Sequence, residues 1–139
     1  MFKNIIVPID LSGRNTRALA AAVTLAEQSH ARVTLLHVIH RVPHLSPREL
    51  AGFYRRLTAT ARRRVDQAAR PFATRGVAVR TQVLIGEPAG EIVAAAGRLR
   101  ADLILMGSHR VGVGRPGRGW GTTSYKVGLL CRCAVLLVK

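Results

Sequence analysis

Residues 106–124 combine the residue types that bind phosphate. This stretch, the glycine loop, reads MGSHRVGVGRPGRGWGTTS and holds six glycines, three arginines and a closing Thr-Thr-Ser. Glycine lets the backbone turn through positive φ and approach a ligand closely, and successive free N–H groups beside a helix start attract an anion. Arginine adds a planar fork that suits phosphate oxygens. The glycine loop therefore predicts a phosphate-binding site.

Strand-like and helix-like segments alternate along the chain, and they must hold this loop in place. Apolar runs that predict buried strands cover residues 3–9, 31–39, 77–85, 101–106 and 134–138. Apolar residues at three- and four-residue spacing predict helices in the stretches between them, at 14–30, 48–74, 86–99 and 122–130. Such alternation is typical of a doubly wound α/β fold with a parallel sheet, and the length suits one domain over residues 1–139.

The predicted sheet brings two polar strand ends together. Ligands of doubly wound sheets bind outside the carboxyl ends of the strands, where the strand order reverses. The first strand ends at Asp10 and the fourth at Gly107, both in polar, turn-forming sequence. If these strands are neighbours, Asp10 and the glycine loop face one crevice. His37 alternates with Val38 on the second strand, and we predict a packed or rim residue there rather than a catalyst.

The charge of the chain points to an anionic partner without choosing one. Twenty-two lysines and arginines against seven acidic residues give a formal net charge of +15. Such a field attracts nucleic acid, an acidic membrane surface or phosphorylated small molecules, whereas arginines on a solvated surface need no partner. No apolar run reaches the length of a membrane span, and the N-terminal stretch is too short for a signal sequence, so we expect a cytoplasmic protein.

Two cysteines, Cys131 and Cys133, precede the last predicted strand. From their spacing we expect no disulfide between them, and a C-x-C without a second ligand pair is a weak zinc signal. We therefore predict that both act as small buried apolar residues.

Neither common nucleotide signature is present, since no Gly-Lys-Ser/Thr closes the loop and no G-x-G-x-x-G follows the first strand. The chain instead resembles the universal stress protein family along its whole length. The segments that carry the resemblance are IIVPID at 5–10, VTLLHVI at 33–39, GEPAGEI at 86–92, ADLILMGSH at 101–109 and GTT…CAVLLV from 121 to 138. The resemblance implies a Rossmann-like universal stress protein sandwich with a five-stranded parallel sheet in the order 3-2-1-4-5.

The resemblance also implies a bound adenine nucleotide, with ATP as the leading ligand. The nucleoside would lie among residues from three strand ends: Pro8, Ile9, Asp10, Val38, Met106 and Gly107. Asp10 would accept a hydrogen bond from the ribose, and Val38 would offer backbone groups to adenine. Met106 and Gly107 would sit beneath the nucleoside.

The phosphates would lie over the glycine loop, near His109 and Arg110 and at the closing Gly121, Thr122 and Thr123. The family motif is Gly-x2-Gly-x9-Gly-Ser/Thr, and this chain departs from it. Counted from Gly107, the second motif glycine falls on Arg110, and ten residues rather than nine separate Arg110 from Gly121. Two interpretations of the loop arginines stay open: they contact the phosphates, or they point to solvent.

No constellation for ATP hydrolysis is visible, because Asp10 is the only acid that the argument places at the crevice. We therefore predict a regulatory binder or sensor in stress response, with at most slow hydrolysis and with any Mg²⁺ held mainly by the phosphates. Two alternatives stay open: a sensor of another adenine-containing anion, such as AMP or a cyclic dinucleotide, and a basic accessory protein that binds nucleic acid or an acidic partner through the arginine-bearing long helix. In the strand order that the resemblance implies, the apolar last strand, 134–138, lies at a sheet edge that needs cover. The resemblance also implies pairing of two such edges, so we expect a homodimer through this strand.

Overall fold

A computed structural model describes residues 1–44, 46–108 and 122–139. Strands and helices alternate through these residues. In chain order they are β1 (Asn4–Pro8), α1 (Thr16–Ser29), β2 (Arg32–His40), α2 (Pro47–Thr74), β3 (Val79–Gly86), α3 (Pro88–Arg98), β4 (Leu103–Gly107), α4 (Thr123–Leu130) and β5 (Ala134–Val138). Within the described ranges, no helix has both the length and the apolar character that a membrane span requires.

The strands form one parallel sheet in the order β3-β2-β1-β4-β5. The predicted fold class and strand order are therefore confirmed. The chain adds β2 and β3 on one side of β1 and then crosses to add β4 and β5 on the other side, so the order reverses at β1. In the register of the sheet, Ile5 lies beside Val33 on one side and Leu103 on the other. The carboxyl ends of β1, β2 and β4 therefore meet at one edge.

Both faces of the sheet are apolar because helices cover both. Ile5 and Val7 point to one face and join a buried cluster that includes Phe72 of α2. Ile6, between them in sequence, points to the other face and joins the cluster that includes Val127 of α4. The alternation of side chains along a strand explains this division. At one edge of the sheet, β5 is only partly covered, and Leu136 is 43% exposed.

Polar residues mark the helix starts near the carboxyl end of the sheet. Glu87 caps α3 by accepting hydrogen bonds from the N–H groups of Ala89 and Gly90, with Pro88 in the first turn as predicted. Thr122 caps α4 by accepting from the N–H of Tyr125 at 3.4 Å. Side-chain oxygens at these positions satisfy N–H groups that have no partner inside the helix.

The turn between α4 and β5 brings the two cysteines together. The Sγ atoms of Cys131 and Cys133 lie 3.2 Å apart, and both side chains pack against the cluster around Val127. Both thiols are free and half-buried. Residues two apart in an extended segment lie on the same side of the chain, so this spacing brings the two sulfur atoms together.

Candidate functional site

A cavity of about 270 Å³ opens at the carboxyl end of the sheet, between the ends of β1, β2 and β4 and the starts of α3 and α4. Every predicted site residue that the structure describes lines it: Pro8, Ile9, Asp10, Val38, Met106, Gly107, Thr122 and Thr123. The other predicted ligand contacts, His109, Arg110 and Gly121, lie outside the described residues. The described part of the glycine loop ends at Ser108 and resumes at Thr122, and both residues line this cavity.

Asp10 stands directly after β1 with its carboxylate fixed by the turn that follows. Its Oδ1 atom accepts hydrogen bonds from the Ser12 backbone N–H at 3.0 Å, from the Ser12 hydroxyl and from the Asn15 side-chain amide at 2.9 Å. These bonds all end on Oδ1, and no hydrogen bond from the described residues reaches Oδ2. Asp10 therefore retains an acceptor for a ligand hydroxyl.

The environment of Asp10 favours the ionised form. Partial burial pushes its pKa upward, but the hydrogen bonds from Ser12 and Asn15 and the nearby Arg14 guanidinium outweigh burial and hold the pKa below its ordinary value. An ionised carboxylate only accepts hydrogen bonds. At neutral pH, Asp10 therefore selects a ligand group that donates.

Val38 presents a backbone donor and acceptor at the end of β1. The even-numbered residues of β2 form their backbone hydrogen bonds with the β1 side. The Arg32 N–H donates to the Lys3 carbonyl, and the Leu36 carbonyl accepts from the Ile9 N–H, each at 2.8 Å. That ladder stops at Ile9. Val38 is the next residue of β2 that faces the same way, so its N–H and C=O lie beyond the last bond of the ladder and line the cavity.

His37 keeps the backbone of Val38 out of the hydrogen-bond ladder between β1 and β2. Its Nδ1 lies 2.8 Å from the Ile9 carbonyl oxygen, and because a carbonyl can only accept, Nδ1 carries the proton. The imidazole thus takes the acceptor that would otherwise continue the ladder to the Val38 N–H. The half-buried position of His37 agrees with the predicted packed or rim role, and its contact with the cavity wall runs through the Ile9 carbonyl.

The start of α4 forms the end of the cavity whose groups favour an anion. Thr122, Thr123 and the buried Ser124 line the wall, and the free N–H groups of a first helical turn favour negative charge. A hydroxyl network orders this turn: the Ser124 hydroxyl lies 3.2 Å from that of Ser108 and 3.3 Å from that of Thr122. The Lys139 ammonium lies at the rim and donates to the Ser108 hydroxyl, at a distance of 3.4 Å.

Residue-by-residue reasoning from the sequence missed part of the lining. The missed residues are Asn15, Leu36, His37, Pro88, Ile92, Ser108 and Ser124. Only Asn15 carried a usable signal, because asparagine at a helix start is a common cap. It makes no side-chain cap bond, and its amide donates instead to the Asp10 carbonyl and carboxylate. The others are brought to the cavity by tertiary packing.

Known proteins resemble this chain over its whole length. The family model described as "Universal stress protein family" matches residues 1–139. Universal stress protein YxiE of Bacillus subtilis is 31% identical over 150 residues, and a universal stress protein of Thermus aquaticus is 34% identical over 142 residues. Each of these matches covers all of both chains.

Solved structures share the fold. Universal stress protein UspA from Lactobacillus plantarum superposes with a TM-score of 0.81 at 25% identity, over 99% of this chain and 97% of that one. A universal stress protein in complex with cAMP gives 0.74 over 99% and 97% of the two chains. The Archaeoglobus fulgidus protein in complex with dAMP gives 0.71 over 99% and 98%. The last two are 21% identical to this chain, a likeness that shows the fold alone. From the family match and the two curated relatives, this chain belongs to the universal stress protein family.

Proposed function

We propose that this chain binds an adenine nucleotide, with ATP as the leading ligand, and acts as a regulatory binder or sensor in stress response. The observation that carries the proposal is the order of three kinds of group around one cavity. An open backbone donor–acceptor pair lies at Val38, an ionised carboxylate at Asp10 and a helix N-terminus at Thr122. A base, a ribose and a phosphate chain need these groups in this order.

The backbone of Val38 supports adenine as the base. The edge of adenine places an amine donor beside a ring nitrogen acceptor, which matches one C=O and one N–H. Guanine reverses the pattern, with an oxygen acceptor beside an N–H donor. A reversed base leaves both backbone groups unpaired inside the cavity, and each unpaired buried group costs about 1–3 kcal/mol. The site should therefore prefer adenine to guanine.

The size and charge of the cavity support a nucleoside inside and phosphates outside. A volume of about 270 Å³ is at the small end of ligand sites, which hold about 300–1,000 Å³. The described lining contains no lysine or arginine, and Lys139 reaches it only from the rim, through the Ser108 hydroxyl. We assign the phosphates to the first turn of α4 and to the glycine loop, with Mg²⁺ held mainly by the phosphate oxygens. AMP or a cyclic nucleotide is the alternative if the loop makes no contact.

Two measurements test the proposal. Native mass spectrometry of the freshly purified protein should reveal a copurified adenine nucleotide. Calorimetry of the ligand-free protein with ATP, AMP, cAMP and GTP should rank GTP at least tenfold below ATP. Equal affinity for GTP and ATP would contradict the role of Val38, and tighter binding of AMP or cAMP would replace ATP as the ligand. Absence of binding by all four nucleotides would overturn the function.

A second candidate function, nucleic-acid binding, is favoured by the solvent face of α2. Its arginines recur every seven residues in two rows, 48-55-62 and 56-63-70, and all six side chains are exposed. We call these six residues the arginine face. Seven residues advance about 10.5 Å and return to nearly the same side of a helix. In the residues that the structure describes, the single ion pair joins Arg75 to Glu27, so the arginine face is free to meet phosphates.

Salt dependence tests this second function. Binding through several phosphates should weaken steeply as salt rises, because each neutralised phosphate releases about 0.9 of a counterion on duplex DNA. Anisotropy of a fluorescent DNA duplex across a salt series gives the slope. A slope near zero, or absence of binding at low salt, would rule out this function without affecting the nucleotide proposal.

The exposed edge of the sheet supports a homodimer. Leu136 of β5 is 43% exposed, and Leu129 and Leu130 at the end of α4 are 67% and 61% exposed. An uncovered edge strand pairs readily with another strand. Light scattering should give twice the chain mass, and Leu136→Lys should shift it toward the monomer. Val42→Lys, at a residue 40% exposed outside this patch, is the control and should leave the mass unchanged.

A further inference from the structure

The α4–β5 turn holds two thiols in near contact at a site separate from the nucleotide cavity. Cys131 is the C-cap residue that follows α4, its N–H donates to the Val127 carbonyl at 2.9 Å, and Cys133 lies one residue before β5. The 3.2 Å between the sulfur atoms exceeds a disulfide bond, about 2.05 Å, by little more than 1 Å. Small side-chain rotations would therefore bring the sulfurs to bonding distance.

A second cavity gives reagents access to this pair. Its volume is about 400 Å³, and its walls include both cysteines, Gly97, Arg100 and Arg132. Both arginine side chains are exposed at the surface, while the thiols are half-buried. Partial exposure allows a dissolved oxidant to reach a thiol. Among the described residues, no third histidine, cysteine or acid joins the pair at metal-binding distance.

We propose that Cys131 and Cys133 form a reversible intramolecular disulfide, which makes the α4–β5 turn a site of oxidation by peroxides. The contact between the sulfurs and their access through the second cavity support this disulfide. The site stands apart from the proposed nucleotide function, because neither cysteine lines the nucleotide cavity.

The two cysteines take different parts in the reaction. Burial raises the pKa of the Cys133 thiol, and the neighbouring Cys131 adds to the shift. In the order that the single variants below test, Cys131 acts first. Its thiolate attacks one oxygen of hydrogen peroxide, the O–O bond breaks, and the departing hydroxide is protonated to water.

The product of the first step is a sulfenic acid on Cys131. The sulfur of Cys133 then attacks the sulfur of Cys131, and the S–O bond breaks. The departing hydroxide takes the Cys133 proton and leaves as a second water. Two thiols have lost two electrons in total, and one peroxide has been reduced to two waters. A reducing dithiol reverses the reaction by thiol–disulfide exchange.

The test uses the full chain treated with hydrogen peroxide and then alkylated. We expect an intact mass lower by two hydrogen atoms, protection of both thiols from alkylation, and recovery of both after dithiothreitol. Peptide mapping should link Cys131 to Cys133 within one chain. Disulfides between chains, or full alkylation of both thiols after treatment, would overturn the proposal.

Two single variants assign the order of the steps. Cys133→Ser should accumulate a sulfenic acid on Cys131, detected as a dimedone adduct, because the resolving thiol is gone. In Cys131→Ser, the remaining Cys133 thiol should be oxidised by peroxide several-fold more slowly than the Cys131 thiol is in Cys133→Ser. The reverse result, with a faster reaction at Cys133, would overturn the assigned order. Circular dichroism of both variants checks that they are folded, and the wild-type mass measurement tests the disulfide even if a variant does not fold.

Discussion

The proposed nucleotide cavity and the arginine face of α2 differ in how they would hold an anion. The chain carries a formal net charge of +15, yet the described cavity lining contains one carboxylate, Asp10, and no lysine or arginine. The arginine face carries six exposed guanidinium groups on one helix. The cavity is built from backbone groups and neutral hydroxyls, whereas the helix offers charge without a pocket.

This difference distinguishes the selection of one particular ligand from the attraction of any anion. Backbone groups and one fixed carboxylate recognise the shape and hydrogen-bonding pattern of a ligand, and they do so equally well at any net charge. Exposed guanidinium groups raise the local concentration of any anion, but salt screens their field. Net charge alone therefore says little about which ligand this protein selects. Changing one region and measuring the function assigned to the other tests whether the two regions act independently.

The largest expected effect is at Asp10. Asp10→Asn keeps the size of the side chain but removes its charge, and hydrogen bonds to charged groups contribute about 1.5–3 kcal/mol. We expect nucleotide affinity to fall by about 10- to 100-fold, measured by calorimetry with ATP. The matched control is Asp66→Asn on α2, where the carboxylate accepts from the Thr81 hydroxyl at 2.8 Å. Equal losses in the two variants would show that net charge, and not the cavity, governs binding.

The second effect concerns the arginine face. Arg56→Gln, Arg63→Gln and Arg70→Gln together should lower the slope of log affinity for duplex DNA against log salt by about 2.7 if each contacts one phosphate. Nucleotide affinity should stay within about twofold, because none of the three lines the cavity. Arg32→Gln, Arg80→Gln and Arg98→Gln together remove the same charge from other exposed positions. If both triple variants lose the same slope, the arginine face has no special part.

Local patterns in the sequence predicted the fold and part of the candidate site. Alternating strand and helix periods predict a doubly wound sheet, and the resemblance supplies the strand order that the structure confirms. Asp10 and Gly107 could be placed at one crevice because parallel strands end at a common edge. These inferences need only element order and the polarity of strand ends.

Contacts between distant residues were not readable. His37 takes the Ile9 carbonyl, and Ser124 meets Ser108, through packing that leaves no periodic signal in the sequence. The contact between the sulfur atoms of Cys131 and Cys133 was also not predicted, although their two-residue spacing places both side chains on the same side of the turn. Tertiary geometry therefore decided the hydrogen-bond network, even where the sequence had located the crevice.

A smaller effect is expected at the helix caps. Thr122→Ala and Ser46→Ala each remove a hydroxyl that accepts from a backbone N–H, at 3.4 Å and 3.3 Å. Each should lower the free energy of unfolding by about 1 kcal/mol, measured by denaturant titration. Only Thr122→Ala should also weaken nucleotide binding, by several-fold, because Thr122 lines the cavity. Unchanged affinity in Thr122→Ala would move the phosphates away from α4.

The smallest expected effect is a loss of stability in acid, which we expect from the Glu87 cap of α3 and not from the Ser46 cap of α2. The Glu87 carboxylate caps α3 through the Gly90 N–H at 2.7 Å and the Ala89 N–H at 3.2 Å, and the bond from Gly90 is the main cause that holds its pKa below the ordinary 4.5. Its contribution to stability is therefore present above pH 4.5 and is lost as the pH falls through the lowered folded-state pKa. The Ser46 hydroxyl that caps α2 has no such titration.

Thermal unfolding of the wild type and Glu87→Gln measures this dependence. At neutral pH the variant should melt at a slightly lower temperature, because an amide oxygen accepts more weakly than a carboxylate. The difference should shrink as the pH falls through the lowered pKa of Glu87, because the wild type then loses its charge as well. A Ser46→Ala control should show a difference from wild type that stays constant with pH. If the Glu87→Gln difference also stays constant, the cap does not act through its charge, and acid does not distinguish the start of α3 from that of α2.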